Sequence, residues 1–117
     1  MMATDMTVSK TIAEQLGKPT LFMLGALADL KKRPLVGGEN SLMFSIMRGA
    51  KNGINKIRIV LEPSDTYTVE FIKVGRAPRY EVKLVSKHEG IYVDALHDLI
   101  YRETDLEVRV PRVRGIN

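Results

Sequence analysis

Residues 54–87, INKIRIVLEPSDTYTVEFIKVGRAPRYEVKLVSK, contain the pattern that decides the fold. Apolar residues alternate along this stretch with polar and basic ones, and successive side chains of a β-strand point to opposite faces of a sheet. The pattern therefore predicts a sheet with one buried face and one basic face. In its first strand the predicted buried face carries Ile57, Ile59 and Leu61, and the opposite face carries Lys56, Arg58 and Val60.

The alternation continues on both sides of this first strand and predicts a meander of short antiparallel strands. Turn-forming residues separate the strands, namely the Asn52-Gly53 pair and residues 63–65 and 75–78. The predicted strands cover residues 41–47, 56–62, 66–74 and 80–87.

Near the N-terminus the apolar residues follow a helical period. Thr11 and Glu14 fit a capping box, in which the two side chains satisfy free backbone groups at a helix start. Ile12 and Leu16 share one helix face, and Gly17 is a common residue just past a helix end. We therefore expect a short helix that begins at residue 11, or earlier at residue 7, and stops at residue 17.

A second helix is predicted near the C-terminus, where the period changes from two to 3.6. Asp94 is suited to cap its N-terminus, and Leu96, Leu99 and Ile100 form an apolar stripe that Val93 extends. This helix is expected to end near residue 104 and to cover the apolar face of the sheet. The sequence thus predicts an α+β fold with a short N-terminal helix, an antiparallel sheet of four to five strands in meander order and one C-terminal helix packed on the sheet.

The apolar run at residues 20–30 fits either a buried strand or a buried helix, because so short a run has no decisive period. Residues 31–40 contain Pro34, Gly37 and Gly38 and are expected to form a turn-rich connection. Ala13 and Gly17 also suit the turn of a helix-turn-helix. The recognition helix of such a double-stranded DNA reader presents polar side chains to bases, so the apolar run makes this alternative the less favoured one.

The composition suits one domain over residues 1–117, with flexible ends expected at residues 1–6 and 107–117. A hydrophobic fraction of 44% and a charged fraction of 27% are ordinary for a globular chain and argue against disorder. The chain has no Cys, which excludes disulfides and thiolate zinc sites. It has no apolar run long enough to span a bilayer and no signal-peptide pattern, so we expect no membrane partner and a cytoplasmic location.

The net charge of +4 is segregated along the chain. Basic residues dominate residues 48–58, 73–87 and 108–117, whereas acidic residues collect at 94–107. A segregated basic surface suggests a polyanionic partner, and a solvated lysine-rich sheet face is the competing interpretation.

No pattern in the sequence predicts an enzyme, a cofactor or a metal site. His88 and His97 have no metal-ligand or triad partners at a suitable spacing, and His97 is expected to face solvent on its helix. The Gly37-Gly38 pair is not followed by the residues of a phosphate-binding loop.

Nucleic-acid binding has more support, because single strands are held by basic grooves and by side chains on which bases stack. Aromatic residues of the predicted sheet are candidates for stacking, although their positions on the strands favour the core. The predicted phosphate contacts are Lys56, Arg58, Lys73, Arg76, Arg79, Lys83 and Lys87, and the candidates for stacking are Tyr67, Phe71 and Tyr80.

Several segments of the chain resemble a family of small tailed-phage proteins. In that family a Leu-Gly pair follows a short N-terminal helix, and two later segments are Asn-x-x-x-Ile-x-Leu-x-x-x-Asp-x-Tyr-x-Val-x-Phe and Gly-Val-Tyr-x-Asp-x-Leu. Two other family segments match less well, because residues 23–28 lack a threonine, a lysine and an asparagine, and residues 104–106 lack a glycine. The matching residues are Leu16 and Gly17, then Asn55, Ile59, Leu61, Asp65, Tyr67, Val69 and Phe71, then Gly90, Tyr92, Asp94 and Leu96.

The passage from a Gly-Ile strand into a long helix also resembles the positive-cofactor-four-like, whirly-related fold of single-stranded DNA-binding coactivators. The resemblance implies a strongly twisted sheet, a strand at residues 20–26, and a homodimer in which two C-terminal helices pair through Leu96, Leu99 and Ile100. It implies sequence-tolerant single-stranded DNA binding in phage replication, recombination or transcription, in the host cytoplasm. The alternative is an interaction module that docks on a phage or host protein through its apolar helix or through residues 21–30.

Overall fold

A computed structural model describes residues 7–26, 35–38, 40–47 and 49–106 of the chain. The ends predicted to be flexible, including the basic tail at residues 108–117, lie outside these ranges, as do residues 27–34. In chain order the elements are α1 (Thr7–Leu16), α2 (Lys18–Met23), β1 (Val36–Gly38), β2 (Ser41–Ser45), β3 (Lys56–Leu61), β4 (Tyr67–Val74), β5 (Val82–Ile91) and α3 (Leu96–Thr104).

The five strands form one antiparallel sheet in the order β1-β2-β3-β4-β5, which confirms the predicted α+β meander. The prediction of a connection at residues 31–40 missed β1, where Val36 pairs with Met43 and Gly37 with Leu42. Glycine is depleted in strands, so the sequence carried no strand signal there. The predicted strand at residues 80–87 begins later, at Val82, and continues to Ile91.

The register of the sheet confirms the predicted alternation of faces. Ile59 lies opposite Leu42 on one side and Val69 on the other, and all three side chains are buried. The opposite face carries the row that runs through Arg58 and Glu70. One face of the sheet therefore belongs to the core, and the other is left open by the described residues.

The core lies between the buried face of the sheet and helices α1 and α3. Ile12 and Leu16 from α1 join the strand residues there, and each is at most 2% exposed. Complete burial of one such aliphatic side chain contributes about 1.5–3 kcal/mol. None of the helices in the described ranges has both the length and the apolar character needed to cross a bilayer.

Helix α1 begins at Thr7, so the predicted capping box at Thr11 is wrong and Thr11 lies inside the helix. A tertiary contact holds the first turn of α1 against the sheet, since the Ser9 hydroxyl donates to the Ser41 carbonyl oxygen over 2.7 Å. Gly17 ends the helix with a φ of +89°, and its amide donates to the Ala13 carbonyl.

The segment expected from the resemblance to be a strand at residues 20–26 is helix α2 followed by a turn. The left-handed conformation of Gly17 redirects the chain, and Pro19 is tolerated near the start of a helix because that position needs no amide donor. Leu21 and Leu24 are buried in the common core. A helix of six residues with Thr20 and Leu21 buried is not the polar recognition helix of a helix-turn-helix.

Helix α3 ends at Thr104 as predicted, but Asp94 does not cap it. Asp94 lies in a 3-10 turn, Val93–Ala95, and the helix begins after Ala95 without a side-chain cap. The stripe of Leu96, Leu99 and Ile100 is at most 1% exposed within a single chain, whereas Val93 is exposed. Within one chain these three residues hold α3 against the sheet, and their predicted role in pairing two helices of a dimer stays a prediction.

Candidate nucleic-acid interface

The open face of the sheet carries cations that are opposed by neighbouring acids. Arg58 Nη1 lies 3.2 Å from Glu70 Oε1, which faces it across β3 and β4. Lys87 is the next residue of the same row, and its Nζ lies 3.6 Å from Glu89 Oε2. These ion pairs reduce the local excess of positive charge, so the open face is not the uniformly basic surface that the alternation predicted.

The open face is also partly apolar near β5. Leu84 lies opposite Ile72, which is only 9% exposed, whereas Leu84 is 50% exposed and the neighbouring Val82 is 71% exposed. A phosphate backbone would gain nothing from these side chains. The part of the open face at β5 is therefore a poor continuation of a basic track.

Two other predicted contacts lie at the start of β5. Arg79 Nη1 is 3.8 Å from Glu81 Oε2, and both side chains are mostly exposed. Lys83 lies directly opposite Lys73 in the β4–β5 register. Like charges on neighbouring strands repel each other, and an anion bound between them would relieve that repulsion.

The remaining predicted cations converge on one cleft at the end of the sheet. Lys56 begins β3, Lys73 is near the end of β4, and Arg76 lies in the loop that follows. Together with Tyr80 they line a partly enclosed cleft of about 760 Å³. None of the residues that line the cleft is acidic, and none of these three cations forms an ion pair with another described residue.

Asn55 joins the two walls of this cleft. Its side-chain Nδ2 donates to the Val74 carbonyl, and its Oδ1 accepts from the Val74 amide, each over 2.9 Å. Its own backbone amide donates to the Ile72 carbonyl over 2.9 Å. The connection before β3 is thereby tied to the end of β4, and this contact uses one donor and one acceptor position of the Asn55 carboxamide.

The basic side chains of the cleft are positioned by short-range contacts. Lys56 Nζ donates to Ser45 Oγ over 3.0 Å. A Cβ atom on Gly53 would lie 3.1 Å from Lys73 Cδ, so the lysine stem passes directly over this glycine. The loop after β4 is closed by a hydrogen bond of 2.7 Å from the Gly75 amide to the Glu81 carbonyl.

The three aromatic candidates for base stacking differ sharply in exposure. Tyr67 is 2% and Phe71 0% exposed, so the prediction that these two stack on bases is wrong and their interpretation as core residues is right. The Tyr67 hydroxyl donates to Gln15 Oε1. Burial, and secondarily the charge of Asp65, raise the pKa of Tyr67.

Tyr80 has the opposite properties. Its side chain is 59% exposed, it lines the cleft, and its φ of +51° is a left-handed conformation that residues with a β-carbon rarely adopt. The strand positions favoured Tyr80 as a core residue, which is wrong because β5 begins only at Val82. Of the three candidates, Tyr80 is the one whose ring a base can reach.

The two histidines take part in structural contacts. His97 Nε2 lies 3.0 Å from the Leu16 carbonyl oxygen and 3.2 Å from Thr20 Oγ1, so the expectation that His97 faces solvent is wrong. It connects α3 to the junction of α1 and α2. No group of His, Asp and Glu side chains in the described ranges is arranged to hold a metal ion.

His88 belongs to a cluster between β5 and α3. Its Nε2 lies 3.3 Å from Glu103 Oε1, and the Ser86 hydroxyl donates to the same oxygen over 2.6 Å. The hydrogen bond from Ser86 is the main reason why the pKa of Glu103 is lowered, and contacts with His88 and the charge of Lys51 act in the same direction. The carboxylate stands between the serine and the histidine, so the cluster lacks the serine–histidine contact of a nucleophilic triad.

Gly53, Ser45 and Asn55 carry no sequence signal that marks them as parts of a site. Asn55 matches the family segment described above, but that segment does not indicate what the side chain does. Its role depends on the backbone of Val74, nineteen residues away in the chain.

The geometry can be compared with what is known of other proteins. The chain matches no protein-family model, no curated protein and no solved structure. The resemblance to small tailed-phage proteins and to the positive-cofactor-four-like fold therefore stays a prediction.

Proposed function

We propose that the protein is a non-enzymatic, sequence-tolerant single-stranded nucleic-acid-binding protein whose principal site is the cleft at the end of the sheet. The observation that carries this proposal is the convergence of Lys56, Lys73 and Arg76 with the exposed ring of Tyr80. Cations that bind phosphates and an aromatic ring that stacks on a base are the two components of single-strand recognition.

The contacts of the cleft support tolerance of base sequence. Base edges are read by side chains with free donors and acceptors, typically amides and bidentate guanidinium groups. The Asn55 carboxamide is bonded on both sides to Val74, and Ser45 Oγ accepts from Lys56. Affinity is therefore expected to come from phosphates and stacking.

The exposed tyrosine favours a single strand over a duplex. A ring stacks on a base only when that base has left its own stack, and in a duplex the separation costs a few kcal/mol. A single strand avoids this cost, because its bases can turn outward into the cleft.

The test compares single- and double-stranded DNA with the wild type and with the variant K73Q/R76Q, at a series of salt concentrations. The wild type should bind the single strand more tightly, and the log–log salt slope of the variant should be smaller in magnitude by roughly 0.7 for each phosphate that it no longer neutralises. The matched control is K10Q, which removes one exposed charge from α1. Helix α1 is anchored to the first residue of β2, at the end away from the cleft.

Absence of wild-type binding at roughly 50 mM salt, where phosphate contacts are strong, would contradict the proposal. So would an equal change of slope per removed charge in K73Q/R76Q and in K10Q, because the charge would then act from anywhere on the surface.

We propose the same biological setting that the resemblance implies, namely a phage-encoded homodimer in the host cytoplasm that serves replication, recombination or transcription. The resemblance assigns the dimer contact to the apolar stripe of α3, which is buried within a single chain. Sedimentation at micromolar concentration should give twice the chain mass of 13.1 kDa. A monomer would contradict the dimer and leave the cleft as a complete site within one chain.

The alternative of docking on a phage or host protein has less support. Its two predicted contact surfaces are the apolar stripe of α3 and residues 21–30. The stripe is buried, and so are Leu21, Leu24 and Ala26 in the described part of the second surface. Stable co-purification of a protein partner with K73Q/R76Q would favour this alternative.

A further inference from the structure

The cleft concentrates more positive charge than one internal phosphate can balance. Lys56, Lys73 and Arg76 line it, and no acidic residue does. A phosphodiester inside a strand carries one negative charge, whereas a terminal phosphomonoester carries about −1.5 to −2 near pH 7 and offers three free oxygens. The positive charge of the three cations is therefore balanced better by a terminal phosphomonoester than by an internal phosphodiester.

The size of the cleft limits how much of a strand it accepts. Its volume of about 760 Å³ lies in the range of pockets that enclose one small molecule, roughly 300–1,000 Å³. One nucleotide fits this description, with its base on Tyr80 and its phosphate near the loop that carries Arg76.

The surroundings of the cleft extend the basic site only as far as Lys83, which lies opposite Lys73 in the β4–β5 register. The next cation on the open face, Arg58, is already paired with Glu70, and the open face at β5 presents Leu84 and Val82. A long strand that followed the sheet would meet carboxylates and apolar side chains. A strand that binds by one end only does not have to contact these carboxylates and apolar side chains.

We propose that the cleft selects the phosphorylated end of a single strand, with the terminal phosphomonoester bound by Lys73 and Arg76 and the terminal base stacked on Tyr80. This inference rests on the proposed function and narrows it, because an internal segment of the strand is then the weaker ligand. The guanidinium of Arg76 suits the group, since its planar fork donates two hydrogen bonds to two phosphate oxygens.

The experiment measures the affinity of the full chain for three forms of one short labelled oligothymidine, with a 5′-phosphate, with a 3′-phosphate or with neither. One phosphorylated form should bind about tenfold more tightly than the form without a terminal phosphate, as one or two hydrogen bonds to a charged group would give. The R76Q variant should lose this preference, and K10Q should keep it. The 5′ and 3′ arms show which end the cleft accepts.

A second readout is the pH dependence of the preference. The titratable groups that line the cleft are Lys56, Lys73, Arg76 and Tyr80, and none of these side-chain types has an ordinary pKa near 6. The second ionisation of a phosphomonoester has a pKa of about 6. The preference should therefore shrink as the pH falls from 7 to about 5.5, while binding of the unphosphorylated form stays constant.

The outcomes separate this inference from the proposed function. Equal affinity for all three forms, or an equal preference in R76Q and the wild type, overturns the selection of ends and leaves single-strand binding standing. Failure of all three forms to bind overturns the proposed function itself. A preference that does not change with pH overturns the assignment to the phosphomonoester.

Discussion

Replacement of Tyr80 by Asn separates the role of this residue in binding from its role in stability. The backbone of Tyr80 has a φ of +51°, and a left-handed conformation costs a residue with a β-carbon roughly 1–2 kcal/mol. Asn adopts this conformation more readily than Tyr does. The ring is 59% exposed, so its removal takes little from the core.

The two effects of Tyr80→Asn therefore have opposite signs. The free energy of unfolding should stay unchanged or rise by up to about 1 kcal/mol, because part of the backbone strain is relieved. Loss of stacking on one base costs about 1–3 kcal/mol of binding free energy, which is roughly a 5- to 150-fold loss of affinity. By contrast, substitution of a residue that only supports the binding site would lower both the binding affinity and the free energy of unfolding.

The assay pairs urea unfolding with fluorescence anisotropy of a labelled single strand at constant salt. Tyr80→Phe is the matched control, since it keeps the ring and should bind within about threefold of the wild type, less than the loss expected for one stacked base. The explanation fails if Tyr80→Asn binds as tightly as the wild type. It also fails if the variant loses more than about 1 kcal/mol of stability, because the left-handed backbone would then carry no releasable strain.

Three further variants test the architecture around the site. Asn55→Ala removes two hydrogen bonds to Val74 and should lower the free energy of unfolding by about 2 kcal/mol together with the affinity; an unchanged urea midpoint would contradict this. Ser86→Ala should raise the pKa of Glu103. Because the folded-state pKa of Glu103 lies below the unfolded one, this stabilisation is fully present above about pH 4.5 and is lost as the pH falls through the folded-state pKa. The variant should therefore be about 1.5 kcal/mol less stable than the wild type at pH 7, and urea unfolding should show this difference shrinking below about pH 4.5. Gly25→Ala imposes a φ of +80° on alanine and should lower stability by about 1–3 kcal/mol; an unchanged thermal midpoint would refute the assigned conformation.

The alternation of residues in the central strands predicted their faces correctly. Ile57, Ile59, Val69 and Phe71 are buried because side-chain direction alternates along extended backbone. This is a local property, and no knowledge of the neighbouring strands is needed to infer it. The end of α3 at Thr104 and the burial of its apolar stripe followed in the same way from the helical period.

The local sequence pattern does not determine the secondary structure of helix α2. Its six residues are too few to establish a period. Its conformation depends on the turn at Gly17 and on the pairing of Leu24 with Met47, whose amide donates to the Leu24 carbonyl over 2.8 Å. The resemblance to a family favoured a strand there, and the tertiary contacts favour a helix.

The candidate site, too, is determined partly by the sequence and partly by the tertiary structure. The sequence by itself determined that the chain carries an excess of cations near two neighbouring strands and one tyrosine beside a turn that contains glycine and proline. Only the tertiary structure decided which of them act together, because strand pairing brings the start of β3 beside the end of β4, so that Lys56 and Lys73 line one cleft. Glu70 on the neighbouring strand paired with Arg58, and the core enclosed Tyr67 and Phe71. Whether a charge or a ring is available to a ligand depends on neighbours that are distant in the chain, and the order of residues does not specify those distances.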